Sequence, residues 1–167
     1  VAKKCLQAAS IFADGNTSYF LQTNLARPRL VGKDALMKIE HAAFSVSDPV
    51  AMSDWYAKHL GLRVVRSGSA AQNNVRFLAD DSGLAMIEIY RSADVPPPDY
   101  RVMHPYIVHL AFVADDVAAE RARLVKAGAI AEGEISKTDA GDELCFLRDP
   151  WGFCIQLVKR AKPMLKM

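Results

Sequence analysis

The chain has 167 residues, 51% of them hydrophobic and 24% charged, enough apolar material to bury a core in one globular domain without disulfides. Its 21 basic and 19 acidic residues, a net charge of +2, are dispersed, and the basic stripe that a nucleic-acid backbone demands is missing. Cys5, Cys145 and Cys154 form an odd set without Cys-x-x-Cys spacing, so neither a disulfide framework nor a zinc knuckle is expected, and a reducing cytoplasm is the simpler setting. No apolar run reaches the length of a membrane span.

Residues 1–36 read as an N-terminal extension of uncertain role. Lys3-Lys4 and the following apolar stretch have a faint leader-like character, but Gln7 and Ser10 interrupt it and Asp14 ends it early. Phe12, Tyr19, Phe20 and Leu21 are apolar enough to pack as an arm on a neighbouring surface.

Patterned structure starts at residue 38. Ile39 to Val46 predicts a strand, Ser47-Asp48-Pro49 signals a helix start, and Val50, Trp55, Tyr56 and Leu60 follow at near-helical spacing up to Gly61. Three short strands are predicted over 62–67, 74–78 and 84–91, parted by Gly68, Asn73 and the Asp80-Asp81-Ser82-Gly83 turn. Residues 94–105, with prolines at 96 to 98, read as a stiff linker. The order then repeats as a strand over 106–114, a helix over 116–127 stopped by Gly128, and strands over 129–136, 143–148 and 153–159. Residues 37–160 therefore read as one domain of two modules, 37–93 and 106–160, with 161–167 as a tail. The fold class expected is α+β, two βαβββ modules forming a curved mixed sheet around a metal-containing cleft.

The repeat carries chemistry. His41 precedes Glu88 by 47 residues, and His109 precedes Gln156 by the same 47. Strand alternation sets His41 opposite Phe44 and Val46, Glu88 opposite Ile87 and Ile89, His109 opposite Leu110 and Phe112, and Gln156 opposite Ile155 and Leu157. If the bulky faces pack under the two helices, the other faces line a concave surface carrying all four polar residues. Two imidazoles, a carboxylate and an amide oxygen suit a divalent ion such as Zn, Ni, Co, Mn or Fe. One carboxylate leaves such an ion with about one positive charge, suited to Lewis-acid work. Glu88, on loosening from the metal, is the candidate base, and a second base on the opposite face is missing because Gln156 cannot accept a proton at neutral pH.

Other polar residues receive blander readings. His59 is expected at a helix end and His104 in a loop. Glu40, adjacent to His41, is expected to point away from it as a surface carboxylate. Cys154 reads as a small buried residue rather than a nucleophile, and Trp55, Trp151 and Phe153 as packing residues. Tyr90, and Tyr100, Arg101 and His104 in the linker, are possible substrate contacts.

Ile39-Glu40-His41, the run Trp55 to Leu62, Met86-Ile87-Glu88-Ile89-Tyr90, His109-Leu110-Ala111-Phe112 and the run Arg148-Asp149-Pro150-Trp151-Gly152 through Leu157 together resemble the vicinal oxygen chelate superfamily. That group includes glyoxalase I, methylmalonyl-CoA epimerase, fosfomycin-resistance enzymes, extradiol dioxygenases and bleomycin-resistance proteins. The resemblance spans residues 38 to 160 and puts His41, Glu88, His109 and Gln156 on the family's four metal positions. It implies a metal-dependent lyase or isomerase acting through an enediolate on a small substrate with two neighbouring oxygens. A non-heme Fe(II) dioxygenase and a non-catalytic, bleomycin-resistance-like binding protein are the alternatives. The chain departs from glyoxalase I and from the extradiol dioxygenases at Gln156, where those enzymes carry a carboxylate. A homodimer is expected, with a small molecule as ligand and neither nucleic acid nor membrane as partner.

Overall fold

The structure is a computed structural model and describes residues 37–165; the expectations for residues 1–36 lie outside them. From Lys38 onward the chain forms one compact unit.

The first module runs β1 (His41–Ser45), α1 (Pro49–Leu60), β2 (Arg63–Ser67), β3 (Arg76–Ala79) and β4 (Met86–Tyr90). The second runs β5 (Leu110–Val113), α2 (Val117–Lys126), β6 (Ile130–Lys137), β7 (Glu143–Arg148) and β8 (Cys154–Lys159). The strands form two separate four-stranded sheets, ordered β1-β4-β3-β2 and β5-β8-β7-β6. In each sheet the first and last strands of the module are parallel and the other pairs antiparallel. That pattern follows from the helix crossover after each first strand, since parallel neighbours need a connection long enough to return. The expected strand–helix–strand–strand–strand order holds in both modules, and the sheets are mixed as expected. β5 starts only at Leu110, four residues later than the pattern predicts, because residues 105–107 form a turn in which Ile107 N–H donates to His104 O at 2.9 Å.

Local chemistry ends the helices where the sequence signals them. Asp48 accepts from Ala51 N–H at 3.0 Å ahead of Pro49, and Gly61 closes α1 at φ 73°. Asp116 caps α2 through Ala119 N–H at 2.9 Å. The inward faces meet the sheets in a core containing Met52, Tyr56, Leu78, Ile89, Leu124, Leu147, Phe153, Ile155 and Leu157.

Directional bonds tie the modules together. Tyr56 Oη on α1 donates to Asp149 Oδ2 at 2.9 Å, Trp55 Nε1 donates to Ala127 O at 2.9 Å, and Arg123 Nη2 donates to His59 O at 2.7 Å. Asp149 itself folds the β7–β8 turn, its Oδ1 accepting from Trp151 N–H and Phe153 N–H at 2.9 and 2.8 Å.

The linker is anchored as well as stiff. Buried Arg148 donates to Tyr100 O at 2.7 Å and to Met103 O at 2.6 Å while its other guanidinium edge pairs with Glu132. Tyr100 Oη donates to Ser45 O at 2.9 Å, joining the linker to the end of β1. At Gly152 the linker passes close to the backbone: a Cβ there would lie 2.4 Å from Arg101 Cγ and 3.0 Å from Arg101 N, and its φ of +88° already favours glycine. Among the described residues no helix is long and apolar enough to cross a membrane.

Candidate functional site

Strand register builds the same face twice. In the first sheet Ala43 lies opposite Glu88, Glu88 opposite Phe77 and Phe77 opposite Arg66, and His41 stands two residues before Ala43 on the same face. In the second sheet Ala111, Gln156, Phe146 and Glu132 make the equivalent row, with His109 two residues before Ala111. Each imidazole meets its phenylalanine edge to face, His41 on Phe77 at 5.6 Å and His109 on Phe146 at 5.4 Å between ring centroids. These faces lie opposite the helix-packed core, as alternation predicts.

Within the first module the geometry is close. His41 Nε2 lies 3.2 Å from Glu88 Oε2, which matches the spacing of about 3.0–3.4 Å between two ligands that share an ion at bond lengths near 2.1 Å. On the other side of the ring, His41 Nδ1 meets the Glu40 carboxylate. This corrects the expectation that Glu40 points away from His41. Alternation governs where Cβ leaves the strand, but Glu40 precedes the first strand residue and its flexible stem folds back. A carboxylate on the far nitrogen fixes the tautomer so that Nε2 is the free donor, the usual support for a metal-bound histidine. Glu40 also raises His41 above the ordinary histidine range, with Glu88 adding to the effect against the opposing pull of desolvation.

The second module is prepared differently. His109 Nδ1 lies 2.8 Å from Pro105 O, so an Nδ1–H donating to that carbonyl leaves Nε2 free to bind a ligand. Gln156 is half-buried beside Phe146. Among the described residues no three or more His, Cys, Asp and Glu side chains are arranged to hold a metal ion within the chain. His41 and Glu88 thus meet as a pair on one sheet, and His109 and Gln156 stand on the other.

The remaining candidates sort by environment. Cys154 is buried, and burial pushes its thiol up to about 11, so it stays a protonated packing residue. Tyr100 is committed to Ser45 O and meets Phe153 edge to face. His59 packs against Trp55 near the end of α1, and His104 against Tyr106. A cleft of ≈ 1020 Å³ lined by Leu62, Leu78, Ile87, Phe112, Leu124 and Leu157 contains none of the four candidate ligands.

β1 and β5 are each the outer strand of a sheet. His41, Ala42 and Ala43 are exposed on β1, as are Ala111 and Val113 on β5, Val113 at 74%. An outer strand without a neighbour leaves a row of backbone groups open to pairing.

No curated protein matches the chain. Among solved structures, the antibiotic-binding protein TnmS3 from Streptomyces sp. CB03234 is similar at 21% identity over 76% of this chain and 98% of its own, with a TM-score of 0.60. A glyoxalase family protein from Bacillus cereus is similar at 20% identity over 78% and 98%, with a TM-score of 0.62. Glyoxalase I from Zea mays is similar at 21% identity and a TM-score of 0.59, and there 75% of this chain covers 45% of the maize protein. These likenesses establish the shared fold. The family model described as the Glyoxalase/Bleomycin resistance protein/Dioxygenase superfamily matches residues 38–157, a span holding His41, Glu88, His109 and Gln156 and every strand except the last two residues of β8. A duplicated module, a pair of equivalent faces and a matching model agree, and the chain belongs to that superfamily.

Proposed function

We propose that this chain is a divalent-metal enzyme of glyoxalase type, a lyase or isomerase for a small substrate with two neighbouring oxygens, working as a homodimer. The observation that carries the reading is the His41–Glu88 pair at 3.2 Å with Glu40 behind the imidazole. His41, Glu88, His109 and Gln156 are the residues that would hold the ion. When bound, such an ion supplies Lewis-acid polarisation of the two substrate oxygens.

The chain's own residues do the rest. Glu88, the only carboxylate of the set, would take the proton from the hydroxyl-bearing carbon beside the carbonyl and return it to the carbonyl carbon, while the hydroxyl proton passes to the neighbouring oxygen; Gln156 cannot share this role, since an amide accepts no proton near neutral pH. His41, held from behind by Glu40, and His109, held by Pro105 O, act as fixed donors. Gln156 contributes a neutral amide oxygen.

Separation of the two half-sites on different sheets, together with the open outer edges of β1 and β5, supports a site shared between two chains: the first module of one protomer facing the second module of its partner. A twofold pair would then carry two such sites.

The test is metal content by elemental mass spectrometry, with wild type expected to hold about one ion per chain and a His41→Ala/His109→Ala variant expected to hold none. Co-expression of separately tagged His41→Ala and His109→Ala chains then reads the sharing. Mixed dimers regain one intact site if each site spans two chains, and none if each lies within a chain. Wild type without metal after reconstitution with Zn, Ni, Mn and Fe(II) refutes the enzyme reading. A second reading, a binding protein that sequesters its ligand without chemistry, draws on the fold shared with the antibiotic-binding TnmS3. It requires ligand affinity that a chelator leaves unchanged.

A further inference from the structure

The outer position of the cross-strand row differs between the two modules in a way that bears on substrate charge. In the second module that position is Glu132, and it is neutralised by Arg148, whose guanidinium also fastens the linker. In the first module the position is Arg66. Its guanidinium lies over the Phe77 ring, 5.9 Å from the centroid, and the same ring meets His41 edge to face at 5.6 Å. A β-bulge creates this placement: the β2–β3 register shifts between Val64 and Arg66, so Arg63 and Arg66, three residues apart, pair with Ala79 and Phe77 on one face. Plain alternation would have separated them. Both arginines are exposed, and among the described residues neither takes part in a salt bridge. Arg76, by contrast, is occupied by the carbonyls of Gly68, Asn74 and Val75. Glu88, on this same face, and Glu40 are both engaged with His41.

We propose that Arg66, seconded by Arg63, is an anion subsite of the first module that holds a carboxylate on the substrate, at the end away from the two oxygens that bind the metal. The inference rests on the reading of the site given above and names its substrate class, a small acid. The planar fork of a guanidinium matches a carboxylate with two parallel hydrogen bonds, and the aromatic ring beneath Arg66 keeps it aimed without using its donors. Among the described residues the pseudo-symmetric position offers no free cation, since Glu132 and Arg148 there are paired with each other and the remaining Arg148 donors go to the linker carbonyls.

The test uses the full chain without added metal, labelled with 15N and titrated with succinate at fixed ionic strength. Wild type is expected to show saturable shifts at the Arg66 side chain and the Phe77 amide. Arg66→Gln is expected to weaken succinate at least about tenfold, the loss of a charge-assisted pair. Lys126→Gln, the same charge change on α2, should leave it unaltered. Arg66 is exposed on an outer strand, so the variant is expected to fold with an unchanged melting temperature. Absence of the shifts, their persistence in Arg66→Gln, or tighter binding of inorganic phosphate than of succinate overturns the proposal. A separate zinc titration of the same sample reads the metal site alone. Failure there refutes the enzyme reading while the succinate result decides the subsite independently.

Discussion

The buried contact between Tyr56 and Asp149 joins α1 of the first module to the β7–β8 turn of the second, and removing one oxygen should expose its worth. Asp149 is 1% exposed, and burial lifts its carboxyl from 3.8 to about 6, while the Tyr56 hydroxyl and the turn's N–H groups pull in the other direction. A carboxyl raised in the folded state contributes stability that is full below its unfolded value and is lost as pH rises through the folded one. The gap from 3.8 to about 6 corresponds to about 3 kcal/mol given up by pH 8. Tyr56→Phe deletes the donor that best supports the ionised form, so Asp149 rises further and its ionisation becomes costlier. At pH 8 the variant should lose about 2 kcal/mol, the range of a buried hydrogen bond to a charged group, with a melting temperature lower by roughly 5–10 °C. At pH 5, where Asp149 is mostly protonated, the loss should fall to about 1 kcal/mol, the neutral hydrogen bond alone. Urea unfolding at the two pH values measures both, with Trp55 and Trp151 as fluorescent reporters beside the contact. Equal losses at pH 5 and pH 8, or a loss below about 0.5 kcal/mol at pH 8, would refute the reasoning.

Three further outcomes are expected. Gly152→Ala must keep a φ of +88° and displace Arg101, whose Cγ would lie 2.4 Å from the new methyl; a loss of about 2–3 kcal/mol in chemical denaturation is expected, and an unchanged midpoint would show that the linker moves aside freely. Glu40→Gln weakens the support of His41 Nδ1 and should lower zinc affinity by about tenfold or more in a competition titration with the fold intact, whereas unchanged affinity would return Glu40 to the surface role its sequence position suggests. Cys145 and Cys154 are buried, with thiols raised above their ordinary value, Cys154 to about 11; peptide mass spectrometry after brief iodoacetamide treatment at pH 7.5 should find both unmodified in the native protein and alkylated in urea, and native labelling of Cys154 would contradict its packing role.

The sequence by itself determined the elements and their repetition. Asp48-Pro49 and Gly61 bound α1 because a side-chain acceptor, a fixed φ and a left-handed residue are local requirements. The period-two alternation likewise assigned His41, Glu88, His109 and Gln156 to the faces opposite the core, since a strand offers each residue only two directions. What depends on contacts distant in the chain was decided by the tertiary structure. The return of Glu40 onto His41, the committed partners of Tyr100 and Arg148, the bulge that turns Arg66 onto the Phe77 face, and the separation of the strands into two sheets rather than one leave no mark in a local pattern. They arise from register, burial and packing between residues tens of positions apart, where each side chain's partner is set by the folded neighbourhood rather than by its place in the sequence.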